Sequence, residues 1–404
     1  MATPTKIKHL VVGTPQGVAG DLRQEARYAF NYSAHEPMCE ISLTMPVRAE
    51  SYANGALLPI FEMNRPEGYL LYKIEEAFAK AGGLDDMRLL DIVGDEQIGR
   101  LSYARPEERR AVRSHQIGLA EILRRQPTSE LFDFLVATYF ESGISGVQPK
   151  VLVPDADRPS RTLGRETVVH AELIVKSGGE EFPHLTQNEF MCMSAARVAG
   201  IETPRFWLSD DGGLFVVERF DLNEGGALGF EDMAVLMNKT SRQKYEGSYE
   251  NVAKAVRLYC AEADPLADLR RLFEYITFTV MVRNGDGHLK NFGLLYAHPG
   301  ERQSVRLAPL YDVVTTSLYG ATNPRRFITK YDRTLALSLR KSRNYPDLDT
   351  LLEFGRDHCG VAQPEVVVER IGDALSATLK EHRGQVPEEL RRELAGEWGA
   401  PGRR

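Results

Sequence analysis

The fold is decided by the stretch Arg283-Asn284-Gly285-Asp286-Gly287-His288-Leu289-Lys290-Asn291-Phe292, which is followed by Leu310-Tyr311-Asp312. Three polar side chains stand out in it, Asp286, Asn291 and Asp312. Mg²⁺ prefers hard oxygen ligands, and a neutral amide oxygen avoids adding a third repelling carboxylate. The spacing therefore predicts a phosphoryl-transfer centre, in which Asp286 is the base and Asn291 and Asp312 bind the metal.

The order of these residues fits the plan of protein kinases. There, a catalytic-loop Asp accepts the proton of the attacking hydroxyl, while an Asn and a downstream Asp hold Mg²⁺. Lys290 is then expected to neutralise the transferring phosphoryl group, and His288 to fix the loop from behind. Because Asn, Asp and Gly are also the usual turn formers, the alternative is a simple turn at 284–287 with Asp312 as a surface acid.

Length and composition indicate an ordinary protein of several domains. A chain of 404 residues is expected to divide into two or three domains. A formal net charge of -7 argues against binding nucleic acid by general phosphate attraction, although a local basic patch remains possible. The four scattered cysteines suggest neither a zinc site nor a disulfide framework. The absence of a long apolar run and of a signal-peptide core predicts a cytoplasmic protein without a membrane span.

Residues 1–110 are predicted to form a small α+β domain. Strand-like runs occur at 7–12, 28–32 and 40–43. A helix is expected over 67–81, because its apolar residues recur at helical spacing and two glycines follow. This domain carries no evident chemistry, so packing or partner contact is its expected role.

Residues 111–225 are predicted to form a strand-rich lobe with a glycine-rich loop. Helical patterns at 115–125 and 129–140 precede the loop at 141–153, whose glycines and serines suit the backbone cradle of a phosphate. A plain β-turn is the alternative. Ser142 and Ser145 could themselves be phosphorylated, and the added charge would then disturb nucleotide binding.

Lys176 ends a predicted strand over 168–176 and matches the kinase lysine that contacts the α- and β-phosphates. The helix predicted over 186–198 places Glu189 on its apolar stripe, where it could pair with Lys176. Alternatively, Thr186 and Glu189 form a capping box. Both interpretations stay open.

The remaining pattern completes a two-lobed plan. Two strands are predicted within 203–220 around a turn at 210–213, and a hinge is expected after them. Helical spacing at 269–280 then leads directly to Asn284. We therefore predict an α+β fold of the two-lobed protein-kinase type, with an extra N-terminal α+β subdomain and an all-helical C-terminal lobe over 226–404.

Five ordered motifs carry a resemblance to a known family. They are Ser145-Gly146-Val147-Gln148-Pro149-Lys150, Asn188-Glu189-Phe190, Val217-Glu218-Arg219-Phe220-Asp221, 284–292 and Pro309-Leu310-Tyr311-Asp312. In this order and spacing, the chain resembles the HipA family of bacterial serine/threonine kinase toxins over nearly its whole length.

The resemblance implies roles for individual residues. It makes Asp286 the catalytic base with Lys290 beside it, and Asn291 and Asp312 the Mg²⁺ ligands. Its implied ATP contacts are Ser145, Gly146, Lys150, Lys176, the backbone of Glu218 and Phe220 at adenine, Asp221 at the ribose, His288 and Tyr311. The family also uses an autophosphorylated loop serine. Gly143 replaces the serine of the commonest pattern, so Ser145 and then Ser142 are the candidates.

The family also implies partners. The first is a small helix-turn-helix antitoxin that binds DNA, so this chain would contact DNA only indirectly, through the antitoxin. The second is a protein substrate among aminoacyl-tRNA synthetases or other translation factors. The function expected is phosphoryl transfer from ATP to a serine or threonine of a host protein. Two alternatives are a kinase of a small molecule, such as a sugar or antibiotic, and a catalytically silent scaffold.

Overall fold

The chain forms two compact units. The computed structural model describes residues 6–66, 71, 74–75, 84–94, 97–106, 119–124, 166–170, 172–178, 182–323, 328–331 and 333–402. The first unit comprises Met1–Pro183, Trp207–Gly229 and His298–Gly300, and the second comprises His184–Phe206, Phe230–Ala297 and Glu301–Arg404. The domain boundaries at 110 and 225 stay a prediction.

An antiparallel five-stranded sheet opens the first unit. Its strands are β1 (His9–Thr14), β2 (Gly17–Gln24), β3 (Tyr28–Tyr32), β4 (Tyr52–Asn54) and β5 (Ser102–Ala104). They pair in the order β4-β3-β2-β1-β5. Leu10 and Val12 alternate with partly exposed neighbours along β1, as expected for a strand with one buried face. The buried ring of Phe61 contacts the rings of Phe30 on β3 and Tyr103 on β5.

Two of the three strands predicted in this region are confirmed, those at 7–12 and 28–32. The strand predicted at 40–43 is wrong. There the side chains of Ser42 and Thr44 hydrogen-bond each other, and the backbone N–H of Met45 donates to the carbonyl of Ser42. Side-chain and backbone bonds of this kind favour a turn over a sheet ladder.

Helices and a second sheet complete the first unit. Its helices are α1 (Pro59–Met63), α2 (Asp86–Val93) and α3 (Leu119–Arg124), and its further strands are β6 (Glu166–His170), β7 (Leu173–Ser177), β8 (Phe206–Leu208), β9 (Leu214–Glu218), β10 (Leu222–Asn223) and β11 (Gly226–Ala227). Strands β6 to β9 pair in the order β6-β7-β9-β8. Val175 and Val216 of this sheet share one apolar cluster with Ile92 of α2 and Ile122 of α3. The cluster anchors the strand that carries Lys176.

The strand predicted over 168–176 is two antiparallel strands. The register pairs Val169 with Ile174 and His170 with Leu173, so the chain reverses between them. The run lacks the Gly, Pro, Asn and Asp residues that usually mark a turn, which is why the sequence predicts one strand. The two strands predicted within 203–220 are confirmed as β8 and β9.

The second unit is mainly helical and also contains strands. Its helices are α4 (Leu185–Val198), α5 (Met233–Leu236), α6 (Tyr249–Tyr259), α7 (Pro265–Met281), α8 (Leu348–Cys359), α9 (Pro364–Glu381) and α10 (Glu388–Glu397). Its strands are β12 (Gly229–Asp232), β13 (Gly293–Tyr296), β14 (Arg306–Leu307), β15 (Gly320–Asn323), β16 (Ile328–Tyr331), β17 (Thr334–Leu339) and β18 (Ser342–Asn344). The α+β class is confirmed, but the prediction of an all-helical C-terminal lobe is wrong. Most of these strands have only two to four residues, too few to show periodicity.

The start of helix α4 contradicts the predicted capping box of Thr186 and Glu189. The helix begins at Leu185, with His184 as its N-cap and no side-chain cap hydrogen bond. Thr186 is therefore inside the first turn, and the predicted capping box of Thr186 with Glu189 is not formed. The pairing of Glu189 with Lys176 stays a prediction.

No helix in the described ranges is both long enough and apolar enough to cross a membrane. The predicted helix at 129–140, most of the one at 67–81 and the ends of the one at 115–125 lie outside the described residues.

Candidate active site

A tight loop between α7 and β13 carries Asp286, His288 and Asn291. Pro265 opens α7, and Asp264 caps it by accepting from the backbone N–H of Ala267. At the other end, Arg283 has a left-handed φ of 56°, which turns the chain out of the helix. The backbone N–H of Gly285 then donates to Oγ1 of Thr316 across 2.6 Å. The loop is therefore held by the segment that follows Asp312.

Gly285 is required by close packing. A Cβ atom at this position would lie 2.6 Å from the carbonyl oxygen of Thr334 and 3.0 Å from Oγ1 of Thr316. Since one of these neighbours is backbone, it cannot move aside cheaply. The turn-forming glycine thus brings strand β17 against the loop.

The two predicted metal ligands contact each other. The side-chain amide of Asn291 donates to Oδ2 of Asp312 across 3.0 Å, and Oδ1 of Asn291 accepts from the backbone N–H of His288 at 3.1 Å. Asp312 itself has a left-handed φ of 60°. Such a conformation is uncommon for a residue other than glycine and is often found at functional sites.

The donor set fits Mg²⁺. Asn291 and Asp312 carry an amide oxygen and a carboxylate, which are hard oxygen ligands, and in this structure the amide nitrogen faces Asp312 while the amide oxygen accepts from the backbone N–H of His288. Mg²⁺ commonly takes one or two such protein ligands and completes its shell with phosphates and water. Among the described residues, no group of three His, Cys, Asp or Glu side chains is arranged to hold a metal alone.

Asp286 lies at the open side of the loop, with 53% of its side chain exposed. The hydroxyl of Tyr245 donates to its Oδ1 across 2.8 Å, and Nε2 of His288 lies 3.9 Å from the same oxygen. An exposed, oriented carboxylate suits a general base that receives a proton from an incoming hydroxyl.

Burial shapes the titration of the two neighbouring ring side chains. It lowers the pKa of His288, with Lys244 acting in the same direction and the carboxylates of Asp286 and Asp312 opposing it. His288 is therefore neutral near pH 7. Burial also raises the pKa of Tyr311 well above its ordinary value, with help from nearby carboxylates.

Tyr311 supports the loop through its hydroxyl. That hydroxyl donates to the backbone carbonyl of Lys290 across 2.7 Å, and the ring contacts Phe230 edge-on. The Lys290 side chain is partly exposed.

A buried clamp holds the segment after Asp312. Asn188 on α4 donates to the carbonyl of Thr315 at 3.1 Å and accepts from the Thr315 backbone N–H at 2.9 Å. The indole N–H of Trp398, just after α10, donates to Oγ1 of Thr315 at 2.8 Å. Two distant segments of the chain thus hold the position of Asp312.

Among the described residues, four predicted nucleotide contacts lie in the first unit. Lys176 is buried on β7, with its Nζ 5.9 Å from the centroid of the Phe215 ring. Glu218 ends β9, and Phe220 follows it in a turn. Asp221 is fully buried.

Asp221 has a structural role within the first unit. Its Oδ2 accepts from the guanidinium of Arg219 at 2.7 Å and from the backbone N–H of Gly99 at 2.7 Å. Arg219 also donates to the carbonyl of Gln97. This network ties the end of the second sheet to the segment before β5. The contact of Asp221 with a ribose stays a prediction, as do the other nucleotide contacts.

The glycine-rich loop lies outside the described residues. Ser142, Ser145, Gly146 and Lys150 all belong to it, so their predicted roles in ATP binding and autophosphorylation stay predictions.

The contacts of Tyr245, Asn188 and Trp398 at this site are not predicted by any pattern in the sequence. Asn188 belongs to a quoted motif, but its partner Thr315 is distant in the chain. Tyr245 and Trp398 have no local pattern, because a hydrogen bond to a remote segment leaves no periodic signal. For Trp398, the residue type gives a hint, since a buried Trp carries an N–H that usually finds a partner.

Comparison with known proteins supports the family. The model of the HipA-like C-terminal domain matches residues 142–382, and that of the HipA N-terminal domain matches residues 10–104. A chain in the Shewanella oneidensis MR-1 toxin–antitoxin complex of HipA, HipB and operator DNA superposes with a TM-score of 0.65 at 17% identity, covering 96% of this chain and 94% of that one.

Curated relatives include three proteins named putative kinases. Y4mE of Sinorhizobium fredii (strain NBRC 101917 / NGR234) is 27% identical over 84% of this chain and 81% of its own length. Y4dM of the same strain is 30% identical, but the match spans 36% of this chain and only 38% of that protein. A protein of Haemophilus influenzae is 29% identical over 44% of this chain and 53% of its own length.

The fold is therefore α+β and similar to that of the Shewanella chain. The family match covers more than half of the chain. The chain belongs to the HipA family.

Proposed function

We propose that this chain is an ATP- and Mg²⁺-dependent serine/threonine protein kinase and the toxin of a toxin–antitoxin pair. The observation that carries the proposal is the contact of Asn291 with Asp312, in the same unit as the exposed carboxylate of Asp286. Membership of the HipA family and relatives named putative kinases support it.

The chemistry follows from the three side chains. Asn291 and Asp312 would hold Mg²⁺, which neutralises charge on the phosphates when it is bound. Asp286 accepts the proton of the acceptor hydroxyl as its oxygen bonds to the γ-phosphorus, and ADP leaves. The partly exposed ammonium of Lys290 would stabilise the negative charge of the transferring group.

The partner and the substrate belong to the proposal. The chain that superposes on this one comes from a complex with HipB and operator DNA. We infer that the partner of this chain is a helix-turn-helix antitoxin and that DNA is bound only indirectly, through that antitoxin. We infer an aminoacyl-tRNA synthetase or other translation factor as the substrate. Ser145, or else Ser142, would be the autophosphorylation site, and the cytoplasm the place of action.

The test is incubation of the purified protein with radiolabelled ATP and Mg²⁺, alone and with a cell extract. Asp286→Gln removes the base, whereas Asp373→Asn changes an exposed acid on α9 and is the matched control. We expect labelling of an extract protein by the wild type and by Asp373→Asn, and none by Asp286→Gln. Phosphoryl transfer by a folded Asp286→Gln protein would refute the assignment of Asp286 as the catalytic base.

Two further readouts refine the result. Loss of self-labelling in Ser145→Ala assigns the loop serine, and its persistence moves the assignment to Ser142. If no protein is labelled but ATP is consumed once sugars or antibiotics are supplied, the enzyme is a small-molecule kinase instead.

A further inference from the structure

Tyr245 makes a direct contact with the proposed catalytic base. Its hydroxyl donates to Oδ1 of Asp286 across 2.8 Å, and its ring meets the imidazole of His288 edge-on at 5.1 Å. Nε2 of His288 faces the same carboxylate oxygen at 3.9 Å. Within the described residues, no hydrogen bond is made to the other oxygen, Oδ2 of Asp286. The carboxylate is thus held on one side and open on the other.

The backbone that presents Tyr245 is fixed by two other elements. The carbonyl of Lys244 accepts from the backbone N–H of Leu289 in the catalytic loop at 3.1 Å. The carbonyl of Tyr245 accepts from the guanidinium of Arg343 on β18. The phenol therefore reaches Asp286 from a segment that is tied both to the loop and to the β17–β18 hairpin.

An exposed carboxylate needs such a support. Asp286 has half of its side chain in solvent, where its side chain can turn between several rotamers. A general base must meet the acceptor hydroxyl at hydrogen-bond distance, and small misplacements are costly in rate. Tyr245 is 39% exposed, so its hydroxyl acts at the open side of the site rather than in the core.

We propose that Tyr245 is a positioning residue of the acceptor site, which holds Oδ1 of Asp286 so that Oδ2 receives the acceptor's proton. This inference rests on the proposed function. In the step concerned, the acceptor oxygen bonds to the γ-phosphorus of ATP, the bond from that phosphorus to the bridging oxygen of ADP breaks, and ADP leaves. The proton of the acceptor passes to Oδ2.

The test compares Tyr245→Phe, which keeps the ring, with Tyr245→Leu, which loses ring and hydroxyl. Tyr259→Phe is the matched control, because the Tyr259 hydroxyl donates to the carbonyl of Leu236 and not to the site. The transfer of label from ATP to extract proteins is measured at rising extract concentration until the rate levels off. The affinity for ATP with Mg²⁺ is measured separately by calorimetry.

We expect the plateau rate to fall about tenfold in both Tyr245 variants, which corresponds to about 1.4 kcal/mol of lost transition-state stabilisation. Nucleotide affinity should stay at the wild-type value, because Tyr245 acts only on the base. A general structural defect would lower nucleotide affinity as well. A Tyr245→Phe plateau at or above wild type overturns the proposal. A loss in Tyr245→Leu alone also overturns it, since ring packing on His288 would then be the cause.

The outcome is separable from that of the proposed function. If Asp286→Gln is inactive and Tyr245→Phe is fully active, only the role of Tyr245 is refuted. If wild type and Asp286→Gln transfer label equally, both proposals fall.

Discussion

Asn291 and Asp312, on either side of the β13–β14 hairpin, are joined by a 3.0 Å hydrogen bond from the amide of one to Oδ2 of the other. The bond sets two oxygen-bearing side chains next to each other, although Asp312 must adopt a left-handed backbone to take part. Uncommon backbone conformations cluster at functional sites, so the conformation of Asp312 agrees with a functional role.

Replacing Asp312 with Asn should separate activity from stability. Asn tolerates the left-handed region, so the backbone stays unstrained while the negative charge is lost. Because metal charge stabilisation is worth several kcal/mol, we expect the transfer rate to fall about 100-fold or more. The free energy of unfolding in urea should change by less than about 1 kcal/mol. An Asp312→Asn protein with wild-type transfer would contradict the metal role.

Asn188→Ala should destabilise the second unit. It removes both hydrogen bonds to the buried backbone of Thr315, and each unsatisfied buried group costs about 1–3 kcal/mol, so a loss of about 2–4 kcal/mol is expected. Urea unfolding measures it. Asn344→Ala, on exposed β18, is the control and should lie within about 0.5 kcal/mol of wild type. Equal stabilities of the two variants would show that the clamp contributes nothing.

Gly285→Ala and Gly396→Ala should have opposite effects. The first places a Cβ 2.6 Å from the Thr334 carbonyl, so we expect a loss of about 1–3 kcal/mol together with reduced transfer. The second lies in α10, where an added Cβ meets nothing within 4 Å, and a gain of about 0.5–1 kcal/mol is expected from helix propensity. Thermal unfolding distinguishes them, and a neutral Gly285→Ala would refute the packing argument.

His288 should make stability depend on pH. Burial lowers its pKa below the ordinary 6.5, so the unfolded chain binds this proton more readily than the folded one. Its stabilising contribution is complete above 6.5 and is lost as the pH falls toward the lower folded-state pKa.

The measurement is urea unfolding of wild type and His288→Gln at a series of pH values below neutral. On acidification, wild type should lose stability faster, by at most about 1.4 kcal/mol per pH unit, the value for one proton. Parallel curves for the two proteins would exclude His288 as the titrating group.

Local patterns in the sequence were enough for several elements. Helical spacing of apolar residues predicts α7, and a strand-like run at 28–32 predicts β3, because each signal is complete within one segment. The run at 168–176 shows where prediction from local patterns fails. No turn residue separates β6 from β7, so its reversal becomes visible only when the two strands pair.

The candidate catalytic residues Asp286, Asn291 and Asp312 could be predicted from sequence alone, because their types and order stand in two short stretches. The contacts that hold these side chains become visible only in the folded chain. The Tyr245 hydroxyl on Asp286 and the clamp of Asn188 and Trp398 on Thr315 join segments far apart in the chain. Such bonds arise from packing, since a single hydrogen bond between distant residues imposes no periodicity on either segment.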